Sequence, residues 1–128
     1  MEKPRLLPVV MLMGMSADVV TRAQEAAALL PARILTMEPE MASVAAISLT
    51  EGERPVLLLV DGARTVGRLQ KLAEALRARL HTPDLPVVAV FERVLPEAVP
   101  DIRAAAVRRI LMLDELLSDL GTILRAAC

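Results

Sequence analysis

Aromatic side chains are almost missing from this sequence of 128 residues: tryptophan and tyrosine are absent, and Phe91 is the only phenylalanine. Recognition of single-stranded nucleic acid by base stacking needs exposed rings, so the composition argues against it. The formal net charge is −1 and no block of Lys or Arg occurs, which argues against a nucleic-acid surface and against a polybasic membrane patch. A hydrophobic fraction of 55% without aromatics predicts a core of aliphatic side chains and Met.

Cysteine and histidine are equally scarce, since Cys128 and His81 each occur once. One Cys excludes a disulfide within the chain and a Cys-rich metal site, and one His excludes a catalytic His pair. These absences fit a reducing cytoplasm, where we expect the chain to be located. The ending at Ala126, Ala127 and Cys128 leaves two interpretations open. Either the chain is the N-terminal fragment of a longer signalling protein, or the last helix ends the native chain.

Long hydrophobic runs are absent as well. The longest run, over residues 6–15, has ten residues, whereas a membrane-spanning helix needs about 20. Charged residues precede this run, as in a signal peptide, but no A-x-A-type cleavage site follows it. We therefore interpret the run as a buried strand and expect no membrane partner.

The chain alternates between short apolar runs and longer amphipathic stretches, which predicts five β–α units in one domain over residues 1–128. The predicted strands cover residues 6–13, 32–37, 55–60, 85–91 and 109–113. The predicted helices cover residues 18–30, 41–49, 65–80 and 96–107, with a last helix capped by Asp114. Ser16 is the predicted cap of the first helix, and Arg68 and Arg77 lie outside the apolar stripe of the third. Apolar strands joined through helices imply parallel pairing and right-handed crossovers. The predicted fold class is a flavodoxin-like α/β sandwich with strand order 2-1-3-4-5.

Ligands of such a sheet bind at the carboxyl ends of its strands. The residues that follow the predicted strands at that edge are Met13, Gly14, Met15, Asp61, Gly62, Phe91, Glu92, Arg93, Leu113 and Asp114. Glu38 and Glu40 follow the second strand; they form a solvated loop by default, or a docking feature. Neither a Gly-rich dinucleotide fingerprint nor a P-loop is present, which disfavours a flavin- or nucleotide-binding protein.

Three positions at this edge carry a resemblance to a known family. Asp61 ends the third strand, Phe91 lies thirty residues further on, and Leu113 lies twenty-two residues beyond Phe91. With the five-unit rhythm, this spacing resembles the receiver domains of bacterial response regulators. The resemblance implies Asp61 as the phosphoacceptor candidate, a Thr or Ser at position 91 and a Lys at position 113.

The sequence departs from that family at most of the positions that carry its chemistry. Receivers place an acidic pair after the first strand to hold magnesium, but Met13 and Gly14 stand here, and a hard cation requires oxygen ligands. Phe91 replaces the switch hydroxyl and is expected to plug the pocket, and Leu113 replaces the cation. Asp61 is either a residual phosphoacceptor or, as we prefer, part of an Asp-Gly turn.

We therefore predict a degenerate, pseudo-receiver type of domain that acts in signal transduction through a protein partner or a homodimer. No enzymatic activity, cofactor, metal or nucleic-acid partner is expected. The surface formed by the fourth helix, fifth strand and fifth helix, with residues 104–107, is the expected contact face. The alternative is a working receiver phosphorylated on Asp61 with magnesium.

Overall fold

A computed structural model describes residues 6–93 and 95–128. Five strands form one parallel sheet in the order β2-β1-β3-β4-β5, which confirms the predicted fold class. The strands are β1 (Leu7–Met13), β2 (Arg33–Met37), β3 (Glu53–Asp61), β4 (Val87–Phe91) and β5 (Arg109–Met112). The helices are α1 (Ala17–Ala28), α2 (Met41–Ala46), α3 (Leu69–Arg79), α4 (Val99–Ala104, preceded by a 3-10 turn over Pro96–Ala98) and α5 (Leu113–Ala127).

Two aliphatic cores lie on the two faces of the sheet, because a strand covered on both faces buries alternate residues on opposite sides. Val9, Met11 and Met13 of β1 belong to the core shared with α2, α3 and the α4 region. Val10 and Leu12 belong to the core shared with α1 and α5. The described helices are all too short or too polar to cross a lipid bilayer.

Several predicted boundaries differ from the observed ones. Helix α2 ends at Ala46 rather than at residue 49. Helix α3 begins at Leu69 rather than at residue 65, because the preceding residues form turns and Gly67 has a positive φ of 78°. Helix α4 ends at Ala104, short of the predicted residue 107. Strand β5 ends at Met112, so Leu113 begins α5 and Asp114 lies in its first turn instead of capping it. The Glu115 carboxylate accepts from the Met112 amide at 3.1 Å and supplies that cap contact.

Candidate functional site

A cleft of about 620 Å³ opens at the carboxyl edge of the sheet. The start of α1, the loop after β4 and the start of α5 surround it. Its lining residues are Met15, Ser16, Val19, Asp61, Ala63, Val90, Phe91, Glu92, Arg93, Leu95 and Leu113. Of the five receiver positions that the sequence analysis named, Asp61, Phe91 and Leu113 line this one cleft, whereas Met13 and Gly14 do not. Ser16 caps α1 as predicted, accepting from the Val19 amide at 3.4 Å.

Asp61 is half-buried at the end of β3 and organises the turn that follows it. Its Oδ1 accepts hydrogen bonds from the amides of Ala63 at 3.0 Å and Arg64 at 3.2 Å. The Thr65 hydroxyl donates to the Asp61 carbonyl at 2.9 Å. An Asp side chain that binds backbone amides two and three residues ahead stabilises a turn. This geometry supports the structural interpretation of Asp61, although its side chain also lines the cleft.

The Phe91 ring lies directly against Gly62. A Cβ atom placed on Gly62 would approach Phe91 Cζ to 2.2 Å, so glycine is required for the ring to occupy this position. The ring is 3% exposed and belongs to the core on the α2–α3–α4 side of the sheet. It therefore fills the space next to the Asp61–Gly62 turn, while the cleft that it borders stays open.

The end of β1 presents no carboxylate to this edge. The Met13 side chain is fully buried in the core. Gly14 has a positive φ of 73°, its amide donates to the Met37 carbonyl at 3.0 Å, and its own carbonyl accepts from Arg64 at 2.9 Å. Within residues 6–93 and 95–128, no three His, Cys, Asp or Glu side chains converge. A buried thioether and a glycine, beside an Asp engaged in a turn, do not fit the oxygen-rich shell of a magnesium ion.

Leu113 brings no positive charge to the cleft, because it is the half-buried first residue of α5. Among the described lining residues, Arg93 is the one cation, and its side chain is exposed. The sequence placed Arg93 at this edge but assigned it no role.

Two arginines to which the sequence analysis assigned no role at the site link the loops at this edge. Arg64 Nη1 donates to the Gly14 carbonyl, and its Nη2 donates to Glu38 Oε2, both at 2.9 Å. Arg68 Nη1 donates to the Pro39 carbonyl at 2.8 Å. The periodicity of the sequence predicted Arg68 on the outer face of a longer helix, and nothing in the sequence indicated its contact with Pro39. Glu38 is thus ion-paired, although its side chain remains 63% exposed.

Another contact that the sequence analysis did not predict joins α4 to α3. The Asp101 carboxylate accepts from the amides of Leu69 at 2.8 Å and Gln70 at 3.0 Å. These amides begin α3 and have no partner within that helix, and no side chain of Arg68 caps them. Asp101 therefore caps α3 from a distant part of the sequence and fixes α4 beside it.

Solved structures identify the class of fold. The chemotaxis protein CheY4 of Vibrio cholerae has a TM-score of 0.68 and 13% identity, covering 96% of this chain and 99% of that chain. A CheY-like response regulator of Mesorhizobium loti has a TM-score of 0.69 and 12% identity, covering 95% of this chain and 99% of that chain. The chain therefore has the receiver fold, in agreement with the resemblance noted from Asp61, Phe91 and Leu113.

The same fold also occurs under a different description. A putative pilus assembly protein, cpaE, from Burkholderia thailandensis has a TM-score of 0.58 and 16% identity, covering 95% of this chain and 98% of that chain. No protein-family model and no curated protein matches the sequence. Since one fold hosts several functions, the function of this chain has to be argued from its own residues.

Proposed function

We propose that this chain is a pseudo-receiver domain of a cytoplasmic bacterial signalling protein, which acts through protein contact without phosphorylation, catalysis or a cofactor. The observation that carries the proposal is the packing of the Phe91 ring on Gly62 at an edge where β1 offers Met13 and Gly14 instead of carboxylates. Without a metal ion, the charge of a transferred phosphoryl group is poorly neutralised. Leu113 supplies no cation to compensate.

The alternative is phosphorylation of Asp61. The position of this residue supports it, because the side chain is half-buried at the end of β3 and lines the cleft. Incubation with a small acyl phosphate and magnesium, followed by intact-mass measurement, separates the two. We expect no adduct. An adduct that requires magnesium and disappears in Asp61→Asn would establish the alternative.

The contact face that we propose consists of α4, the edge strand β5 and α5. Ile110 on β5 is 48% exposed and Val99 on α4 is 40% exposed, so these elements present two large apolar side chains to solvent. Ala105, which the sequence placed on this face, is fully buried in the core and does not belong to it. The face therefore centres on Ile110.

Exposed charges of both signs lie on or beside the elements of this face. The cations are Arg103, Arg108, Arg109 and Arg125, and the carboxylates are Glu97, Asp114, Glu115 and Asp119. A two-fold axis brings the same patch of two copies together, and a patch with both signs can then be complementary to itself. A second copy of this chain is the partner that this mixture of charges fits best.

Light scattering over a concentration series tests this face. Ile110→Lys is expected to weaken self-association about tenfold or more, because a charge enters the centre of the interface. Leu29→Lys is the matched control, since Leu29 is 88% exposed at the end of α1. Self-association should also weaken as salt rises. A strictly monomeric chain that recovers no partner in a pull-down would contradict the proposal.

A further inference from the structure

Arg64 joins three loops at the carboxyl edge of the sheet. It lies in the loop after β3, its Nη1 reaches the Gly14 carbonyl in the loop after β1, and its Nη2 reaches Glu38 in the loop after β2. Both distances are 2.9 Å, within the range of charge-assisted hydrogen bonds. The guanidinium group suits this task, because its planar fork presents several donors in fixed directions.

The backbone around Arg64 is held in place on both sides. The Arg64 amide donates to Asp61 Oδ1 at 3.2 Å, so the aspartate turn orients the start of the arginine side chain. Arg68 ties the same segment to the Pro39 carbonyl at 2.8 Å. On the opposite side, a Cβ atom on Gly14 would lie 3.5 Å from Arg64 Nη1, so the side chain packs closely over that glycine.

We propose that Arg64 is a built-in cation that holds the loops after β1, β2 and β3 together, so that their arrangement is independent of divalent ions. A bound divalent ion joins loops by collecting oxygen ligands from several of them. Here a carbonyl oxygen from one loop and a carboxylate oxygen from another converge on one guanidinium. The proposal rests on the proposed function only in that both start from an edge without a magnesium site.

The Glu38 pair alone does not carry this role. In this ion pair, the Arg64 side chain is 49% exposed and the Glu38 side chain is 63% exposed. Exposed ion pairs contribute little to stability. The bond to the Gly14 carbonyl is partly buried, and it acts on a backbone group rather than on a mobile side chain. We therefore expect Arg64 to affect the opening of the loops more than global unfolding.

Amide hydrogen exchange measured by NMR on the whole chain tests the proposal at two reporters. The Gly14 amide donates to the Met37 carbonyl, and the Glu40 amide donates to the Glu38 carbonyl at 2.8 Å. In Arg64→Ala, exchange at both amides should accelerate about fivefold to tenfold, as expected when a charge-assisted hydrogen bond that holds a local unit closed is lost. The carbonyl ¹³C shift of Gly14 should change as well, since it loses a donor.

Controls separate the clamp from general destabilisation. Arg22→Ala removes another exposed arginine with a carboxylate partner, at 3.6 Å, and should leave both reporters unchanged. Arg64→Lys keeps the positive charge but lacks the planar guanidinium group, so its exchange rates should lie between those of the wild type and Arg64→Ala. This variant also allows the test if Arg64→Ala unfolds globally. Millimolar magnesium should neither slow exchange in the wild type nor restore Arg64→Ala.

Two results would overturn the proposal. Unchanged exchange at Gly14 and Glu40 in Arg64→Ala would show that the arginine does not hold the loops. Slower exchange in the wild type on adding magnesium, reversed by a chelator, would show that an ion holds them. The first result would leave the proposed function untouched, whereas the second would also count against it, because both proposals start from an edge without a magnesium site. Self-association through Ile110 is measured separately, so the two failures can be told apart.

Discussion

The close approach of Phe91 to Gly62 allows a sharp test of how this edge is packed. In Gly62→Ala, the new Cβ would lie 2.2, 2.4 and 2.6 Å from three atoms of the ring. Carbon atoms in contact are normally about 3.5 to 4.0 Å apart, so the ring or the turn has to move by about 1 Å or more. The ring is 3% exposed and packs against core residues, although it also borders the cleft, so relieving the overlap requires the ring to leave its core position or the turn to shift.

The expected cost follows from this overlap. Overpacking a core typically destabilises by about 1 to 3 kcal/mol, and the size of the overlap places Gly62→Ala at about 3 kcal/mol. For a domain of this length, that corresponds to a fall in Tm of roughly 10 °C. Urea unfolding followed by far-ultraviolet circular dichroism is the suitable assay, because the chain has no tryptophan or tyrosine to report by fluorescence.

Two further variants make the test specific. Gly121→Ala is the control within α5: a Cβ there meets no atom within 4 Å, so we expect stabilisation by about 0.5 to 1 kcal/mol. In the background Phe91→Leu, Gly62→Ala should cost less than in the wild type, because the smaller side chain relieves the overlap. A Gly62→Ala protein within about 0.5 kcal/mol of the wild type, or one unaffected by Phe91→Leu, would refute the reasoning.

Two other predictions concern contacts at opposite ends of the fold. Asp101→Ala removes the acceptor for the Leu69 amide at the start of α3; we expect a loss of about 1 to 2 kcal/mol in urea unfolding, with Asp101→Asn losing less, and equal stability of all three proteins would contradict this. The Glu53 pKa is lowered, first by a backbone amide and then by Arg33, whose Nη1 donates to the carboxylate at 2.8 and 2.9 Å. Since the folded pKa lies below the unfolded one, this contribution is present above the ordinary Glu pKa of about 4.3 and is lost as pH falls through the folded value. As the pH falls below about 4.3, the free energy of unfolding should therefore fall less steeply in Glu53→Gln than in the wild type, and equal slopes would contradict this.

Hydrophobic patterning was sufficient to predict the fold, because buried parallel strands and amphipathic helices leave different periods in the sequence. The five-unit order and the positions of Asp61, Phe91 and Leu113 at one edge followed from it. The starts of helices were less predictable. The residue pattern around Arg68 fits the helical period of α3, yet the positive φ of Gly67 keeps this segment in a turn. Periodicity describes which face is buried, but not where a backbone leaves the helix.

The long-range hydrogen bonds at the site lay beyond the reach of sequence reasoning, since each joins residues distant along the chain. Arg64 and Gly14 are 50 positions apart, and Leu69 and Asp101 are 32 apart. Arg77 shows the same limit: it was placed outside the apolar stripe of α3, but its Nη1 donates to the Ala105 carbonyl at 2.7 Å. A charged residue on a polar helix face has the same sequence signature whether it faces water or a neighbouring loop.

The features of this edge depend on one another, so a change at one of them should disturb the others. The Asp61 turn places both Gly62 under the Phe91 ring and the Arg64 backbone beside the loop after β1. Replacing Phe91 by a hydroxyl residue would leave a cavity beside Gly62 and would still supply no ion ligand. Adding a carboxylate at Gly14 would meet a strained φ and the Arg64 guanidinium. We therefore expect a single substitution at Gly14, Gly62 or Phe91 to lower stability, because the ring packs on Gly62 and the Arg64 side chain packs over Gly14.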